Sequence, residues 1–192
     1  TVPFIGLMDP TLAPGQRGQM TANDRLAFDT FGYKLAPAAA PAPPPAPPVV
    51  RPENDNFNSA LILRGSSGQL ISDNLDATGQ ADEPVPPQGT GPGQRSVWFN
   101  WTAPNSGSVT FETVGSNYDT TLGAYLGNTH NTLTPLAQND DIPNGNTTDS
   151  RISFTASAGI TYRIMVNGWS SSEGAYKLRW SSPRATVESV FE

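Results

Sequence analysis

Apolar and polar residues alternate in short runs between residues 53 and 182, and each run ends in a cluster of Gly, Asn, Asp or Ser. A period of two puts alternate side chains on opposite faces of an extended strand. The runs predict strands over residues 61–64, 69–72, 96–103, 108–114, 121–126, 133–137, 151–156, 161–167 and 175–180. Val97, Phe99 and Trp101 share one face of their run, as do Val109 and Phe111, and Ile152 and Phe154. Tyr162, Ile164 and Val166 form another such set, and Tyr176, Leu178 and Trp180 a fifth; together these side chains are the expected core. Short strands at roughly 8–15-residue spacing, joined by turn formers, predict an all-β, jelly-roll-like antiparallel sandwich of about seven to nine strands.

The pattern differs upstream. In residues 1–35, Leu26, Phe28 and Phe31 are apolar at helical spacing, Thr21 and Asp24 stand as in a capping box, and Gly32 is placed to end the turn. One short helix is expected there, and a lone amphipathic helix must bury its apolar face against a neighbour. Residues 36–52, APAAAPAPPPAPPVVRP, predict an extended polyproline-like linker. The expected organisation is therefore a helical unit over 1–35, a linker over 36–52, a sandwich over 53–182 and a tail over 183–192.

Composition narrows the function. With 18 Gly and 19 Pro in 192 residues and only 15% charged residues, the chain suits strands and tight turns better than a helical bundle. Its 17 Asp and Glu against 11 Lys and Arg give a formal charge of -6, which argues against a nucleic-acid partner and favours divalent cations. No apolar run is long enough for a membrane span, and the first residues lack the charged start and apolar core of a signal peptide, so any export signal is expected upstream. Without cysteine there is no disulfide and no thiolate site, a pattern that suits a secreted or cell-surface protein of bacterial origin. The triplets Asn100-Trp101-Thr102 and Asn146-Thr147-Thr148 would be glycosylation acceptors only in a eukaryotic secretory pathway, and the first lies in an expected core strand. There is no Gly-x-Ser-x-Gly elbow and no phosphate-binding glycine loop, and the single histidine, His130, follows a polar turn. The chain is expected not to be an enzyme.

Two features invite a ligand. Asp119, Asp140, Asp141 and Asp149, with Asn139, Asn144 and Asn146, could converge at one end of the sandwich, and calcium takes six to eight such hard oxygens in irregular geometry. Trp169 lies in the turn Asn167-Gly168-Trp169-Ser170-Ser171-Ser172, where an aromatic is a candidate contact for sugar or protein.

Ordered motifs add a family resemblance. Pro52-Glu53-Asn54-Asp55-Asn56-Phe57-Asn58-Ser59-Ala60 is followed by Ser96-Val97-Trp98-Phe99-Asn100-Trp101-Thr102-Ala103-Pro104, then by Gly115-Ser116-Asn117-Tyr118-Asp119-Thr120-Thr121-Leu122, the Asn139-Asp140-Asp141 loop, and a strand with Thr161-Tyr162 and Ile164. In this order they resemble the bacterial pre-peptidase C-terminal domain family, over nearly all of residues 53–181. The resemblance implies a sandwich appended to secreted proteases and other exported bacterial proteins. In related collagen-binding domains calcium sits at the junction of linker and sandwich, and the matching residues here are Glu53, Asn54 and Asp55 with Asp73, Asp76, Asp82 and Glu83.

The first residues carry a second resemblance. Leu7-Met8-Asp9-Pro10, Gln19-Met20-Thr21-Ala22-Asn23-Asp24 and Phe28-Asp29-Thr30-Phe31-Gly32-Tyr33 look like the end of a metzincin-type zinc metalloprotease domain, with Met8 as the Met-turn and residues 21–31 as the closing helix. The HExxHxxGxxH zinc motif is absent from a chain with one histidine, so catalysis would belong to a preceding domain. The expectation is a calcium-stabilised, non-catalytic accessory module of a secreted metalloprotease, binding an extracellular protein or polysaccharide, its own protease domain, or assisting secretion. The alternative is a cell-surface or filament subunit that self-associates through its N-terminal arm.

Overall fold

A computed structural model of the chain describes residues 30, 43–85, 95–143 and 148–183. The chain divides into two units, Thr1–Pro47 and Pro48–Glu192. In the first, residues 43–47 are exposed and without regular structure, as an alanine-proline tract requires. The expected helix over residues 21–31 and the Met8 turn lie outside the described residues, apart from Thr30, which is helical and exposed.

The second unit is a β-sandwich. Its strands are β1 (Leu61–Leu63), β2 (Ser67–Asp73), β3 (Val97–Thr102), β4 (Gly107–Glu112), β5 (Thr120–Leu126), β6 (Thr134–Asn139), β7 (Arg151–Ala156), β8 (Thr161–Gly168) and β9 (Ala175–Ser181). All nine fall where the alternation predicts them, with ends shifted by one or two residues. One sheet has the order β1-β3-β8-β5-β6 and the other β2-β9-β4-β7. The inward faces supply the core: Val97, Phe99, Trp101, Leu122, Ala124, Ile164 and Val166 from the first, and Val109, Phe111, Ile152, Tyr176, Leu178 and Trp180 from the second. Trp101 meets Phe111 edge-on across the layers at 5.5 Å, and Phe99 meets Tyr176 at 6.2 Å. Each large apolar side chain buried in this way contributes about 1.5–3 kcal/mol, so the two-layer core is the main source of stability.

Local chemistry fixes how the sheets close. Gly68 of β2 lies opposite Trp180 of β9, and a Cβ at residue 68 would stand 2.2 Å from the indole Cζ2, so only glycine lets that ring lie flat. The indole N–H groups of Trp101 and Trp180 both donate to the carbonyl of Gly65, at 3.0 and 3.3 Å. Gly65 has φ +83, the left-handed conformation that turns the chain from β1 into β2.

Two features depart from a simple antiparallel sandwich. β1 pairs with β3 in parallel, from Leu61↔Phe99 to Leu63↔Trp101. The reason is the path: β2 crosses to the other sheet, and the chain then enters β3 from the end at which it entered β1. The outer face of the five-stranded sheet also carries a second apolar cluster, in which Trp98, Tyr125 and Met165 are buried with Phe57. Alternation places Trp98 opposite the main core, yet it is fully buried, because the 3-10 turn Phe57–Ser59 folds over it. Phe57 meets Trp98 edge-on at 5.2 Å, and the Arg163 guanidinium lies 5.2 Å from the Phe57 ring centroid on that same outer face. Among the described residues, no helix is long and apolar enough to cross a membrane.

Candidate functional site

The seven residues at the linker junction are placed separately. Glu53 is exposed. Asn54 is buried and bonds to β3 twice: its side-chain amide donates to the Trp98 carbonyl at 3.0 Å, and its own carbonyl accepts the Trp98 N–H at 2.9 Å. Asp55, also buried, accepts from Thr78 at both oxygens, the backbone N–H at 2.5 Å and the hydroxyl at 3.0 Å. Asp73 is exposed and accepts the Leu75 N–H in a local turn. Asp76 and Asp82 are exposed turn residues at φ +56 and +65.

Glu83 is buried and accepts the Ser96 hydroxyl at 2.7 Å and the Trp98 indole N–H at 3.0 Å. Burial pushes its carboxyl above the ordinary glutamate range, against the opposing pull of those bonds. Asp55 and Glu83 therefore spend their oxygens on the protein itself. They tie the end of the linker and the 74–83 loop onto β3.

The other acidic set converges. Asp119 precedes β5, and Asp140 and Asp141 follow β6, its neighbour in the sheet. One carboxylate oxygen from each lies within 4.8 Å of the others, and among the described residues no other three Asp, Glu, His or Cys side chains gather so closely. Asp140 is only 4% exposed. The Oδ1 atoms of all three are buried and have no hydrogen-bond partner among the described residues, and no salt bridge described for the chain reaches them.

A fourth buried oxygen without a partner belongs to the neighbouring Thr121. Leu122 of β5 pairs with Asn139 of β6, so the next step along the pleat sets Thr121 opposite Asp140, on the face of β5 that Asp119 also shares. The Thr121 hydroxyl is buried and likewise has no partner. Buried polar atoms in folded proteins are nearly always satisfied, and a missed bond costs about 1–3 kcal/mol. Three of these unpartnered atoms belong to carboxylates that converge, and the fourth lies on the strand position across from Asp140.

The surroundings hold this site rigidly. Ser150 is fully buried, and its hydroxyl lies 2.5 Å from the Thr120 carbonyl and 2.6 Å from the Asp140 carbonyl, joining the two strand ends that carry the carboxylates. The Thr113 and Thr120 hydroxyls pair at 2.6 Å, and Thr113 accepts the Ser150 N–H at 2.8 Å. Charge accumulates above this layer. Burial first, then Asp141 and Asp119, pushes the Asp140 carboxyl up to about 6, and burial with Asp141 raises Asp119. Such a set of hard, anionic oxygens fits calcium, which accepts irregular oxygen shells, better than softer metals.

The remaining candidates lie around it. Asp149 accepts the Gly115 N–H, and Asn139 accepts the Arg151 N–H, so both brace the backbone. Asn144 and Asn146 lie outside the described residues. His130 sits half-buried, its ring 6.2 Å from that of Phe57. Trp169 starts a 3-10 turn directly after β8; it is half-buried and belongs to neither apolar cluster. Its N–H donates to the Asp119 carbonyl at 2.9 Å, which links the turn to the carboxylate site. The Thr121 hydroxyl escaped sequence reasoning, although it shares the odd-numbered parity of Asp119. No protein-family profile and no curated protein matches this chain.

Proposed function

We propose that this chain is a non-catalytic, calcium-stabilised accessory module of an exported bacterial protein, and that Asp119, Asp140 and Asp141 hold the ion. The observation that carries the reading is the convergence of three carboxylates, one oxygen of each within 4.8 Å of the others, each of which also carries a buried Oδ1 without a partner among the described residues. Bound calcium would supply the positive charge that this cluster lacks, and Thr121 would add a neutral oxygen. The ordered motifs over residues 53–181 support a place beside a secreted protease, and a chain with one histidine and no cysteine supports a role in binding rather than in catalysis.

Thermal unfolding tests the reading. A ligand that binds only the folded state at a hundredfold excess over its dissociation constant stabilises by about 2.7 kcal/mol. Calcium is expected to raise the melting temperature of the wild type by several degrees relative to EDTA. Asp140→Asn should lose that rise, whereas Asp55→Asn should keep it while starting from a lower melting temperature. A calcium response abolished by Asp55→Asn and retained by Asp140→Asn would move the site to the linker junction.

A further inference from the structure

We propose that the outer edge of β2 is a self-pairing surface, through which two copies of this chain join about a two-fold axis with Ile71 facing Ile71. β2 ends its sheet, and its far edge has no partner among the described strands. Antiparallel pairing with β9 directs the backbone N–H and C=O of alternate residues into the ladder and leaves the others facing out, a template for one more strand. The three remaining edges are guarded. β1 is three residues long, β6 carries Pro135 beside a register shift at Ala124 and Tyr125, and β7 spends the Arg151 N–H on Asn139 of β6. β2 runs seven residues, Ser67–Asp73, in unbroken register with β9, with no proline and no cation. Its apolar residues are also left uncovered: Ile71 is 62% exposed on the outer face, and Leu70, which packs against the core from the inner face, is only partly buried.

The order of residues along the strand names its occupant. Facing residues of an antiparallel pair lie on the same face, so a two-fold pairing that continues the sheet sets odd-numbered residues opposite odd ones. Centred on residue 71, Ile71 meets Ile71, Leu70 meets Ser72, and Gln69 meets Asp73. Neighbouring registers are worse. Centred on residue 70, both isoleucines face glutamine; centred on 72 they face Asp73; centred on 73, Asp73 faces its own copy. The Gln69–Asp73 match is chemical as well as geometric. Arg179 donates its Nε–H to the Gln69 Oε1 at 2.9 Å, which leaves the amide NH2 to donate to the Asp73 carboxylate of the second copy. A cation thereby reaches, through an amide, the one charged residue of β2, while the two Asp73 carboxylates stand at opposite ends of the ladder of residues 69–73. A foreign strand would have to reproduce this order of polar, apolar and acidic residues, and a second copy already carries it. One such ladder buries little surface, so the dimer is a weak, reversible one.

Sedimentation equilibrium of the full chain, from micromolar to millimolar, tests this pairing, with the melting temperature as the check that each variant is folded. The wild type is expected to pass from monomer to dimer over that range. Ile71→Lys, at an exposed position, should melt as the wild type does and remain monomeric, because a cation at the centre of the pair meets its own copy. Gln69→Glu should weaken dimerisation by about tenfold, since the new charge faces Asp73 twice about the axis. Adding Asp73→Lys to it turns both contacts into ion pairs and should restore the dimer to wild-type strength or beyond. Asp140→Asn should dimerise as the wild type does, which keeps the test independent of the cation site. Monomer at every concentration would overturn the inference, and so would a dimer that Ile71→Lys leaves intact. A dimer lost in Gln69→Glu and not recovered by the added Asp73→Lys would overturn the pairing of residues 69 and 73.

Discussion

The indole N–H of Trp98 is buried beneath the chain that leaves the linker, and its acceptor is a single carboxylate oxygen of Glu83. Removing that carboxylate strands the indole donor away from water and leaves the Ser96 hydroxyl only its long bond of 3.4 Å to the Thr78 carbonyl. Glu83→Ala is therefore expected to cost about 2–4 kcal/mol, read as a lowered midpoint in urea. Glu83→Gln should stay within about 1 kcal/mol of wild type, because its carbonyl can accept from the indole while its amide donates to the serine. The pairing of residues 83 and 98 was not legible in the sequence: Trp98 belongs to a motif stretch and Glu83 stood only as a candidate calcium ligand, and nothing in their spacing brings a loop glutamate over a strand tryptophan. The same is true of Asp55, whose acidic character suggested a metal ligand while its geometry makes it the anchor of Thr78.

At the scale of the elements the sequence was far more informative. A period of two is a direct imprint of the pleat, so the nine strands and the inward sets on β3, β4, β8 and β9 could be read from the order of residues alone. What alternation could not supply was pairing, since nothing local tells β1 to run parallel to β3 or β5 to lie beside β6. The candidate site inherits that limit: Asp119 and Asp140 belong to neighbouring strand ends only because β5 and β6 pair. Close approaches between strands are equally silent until the register is known. Gly68 reads as an ordinary glycine ahead of the strand expected over residues 69–72, but within β2 and opposite Trp180 it cannot carry a side chain. Gly68→Ala is expected to cost about 1–3 kcal/mol through displacement of a core indole, measured as a lower unfolding midpoint with altered tryptophan fluorescence.

For the molecule as a whole, an acidic chain with buried carboxylates must respond to both protons and cations. The folded protein raises the Asp140 carboxyl from its ordinary 3.8 to about 6, because burial and the facing carboxylates of Asp141 and Asp119 oppose its charge. Between these values the folded state binds more protons than the unfolded chain, so in EDTA stability falls as pH rises through that window, and the loss is complete above it. Saturating calcium should reverse the trend, because the ion requires the ionised form and is displaced as protons return. Unfolding midpoints across pH 4–8, with Asp140→Asn as the reference that removes this group, check the expectation: the variant should be more stable than wild type in EDTA at pH 7 and less stable in excess calcium.

A different consequence follows from the way residues 54–57 are fastened. Tension transmitted along the prolines reaches Asn54 first and passes through its two bonds to Trp98 into β3. This strand lies between β1 and β8, so the load enters the sheet at a position flanked on both sides. At an outermost strand, the same pull would open one bond at a time. Phe57, lodged against the Trp98 ring, stands as a stop behind that point of attachment, so the tether is fastened to an interior strand of the sheet.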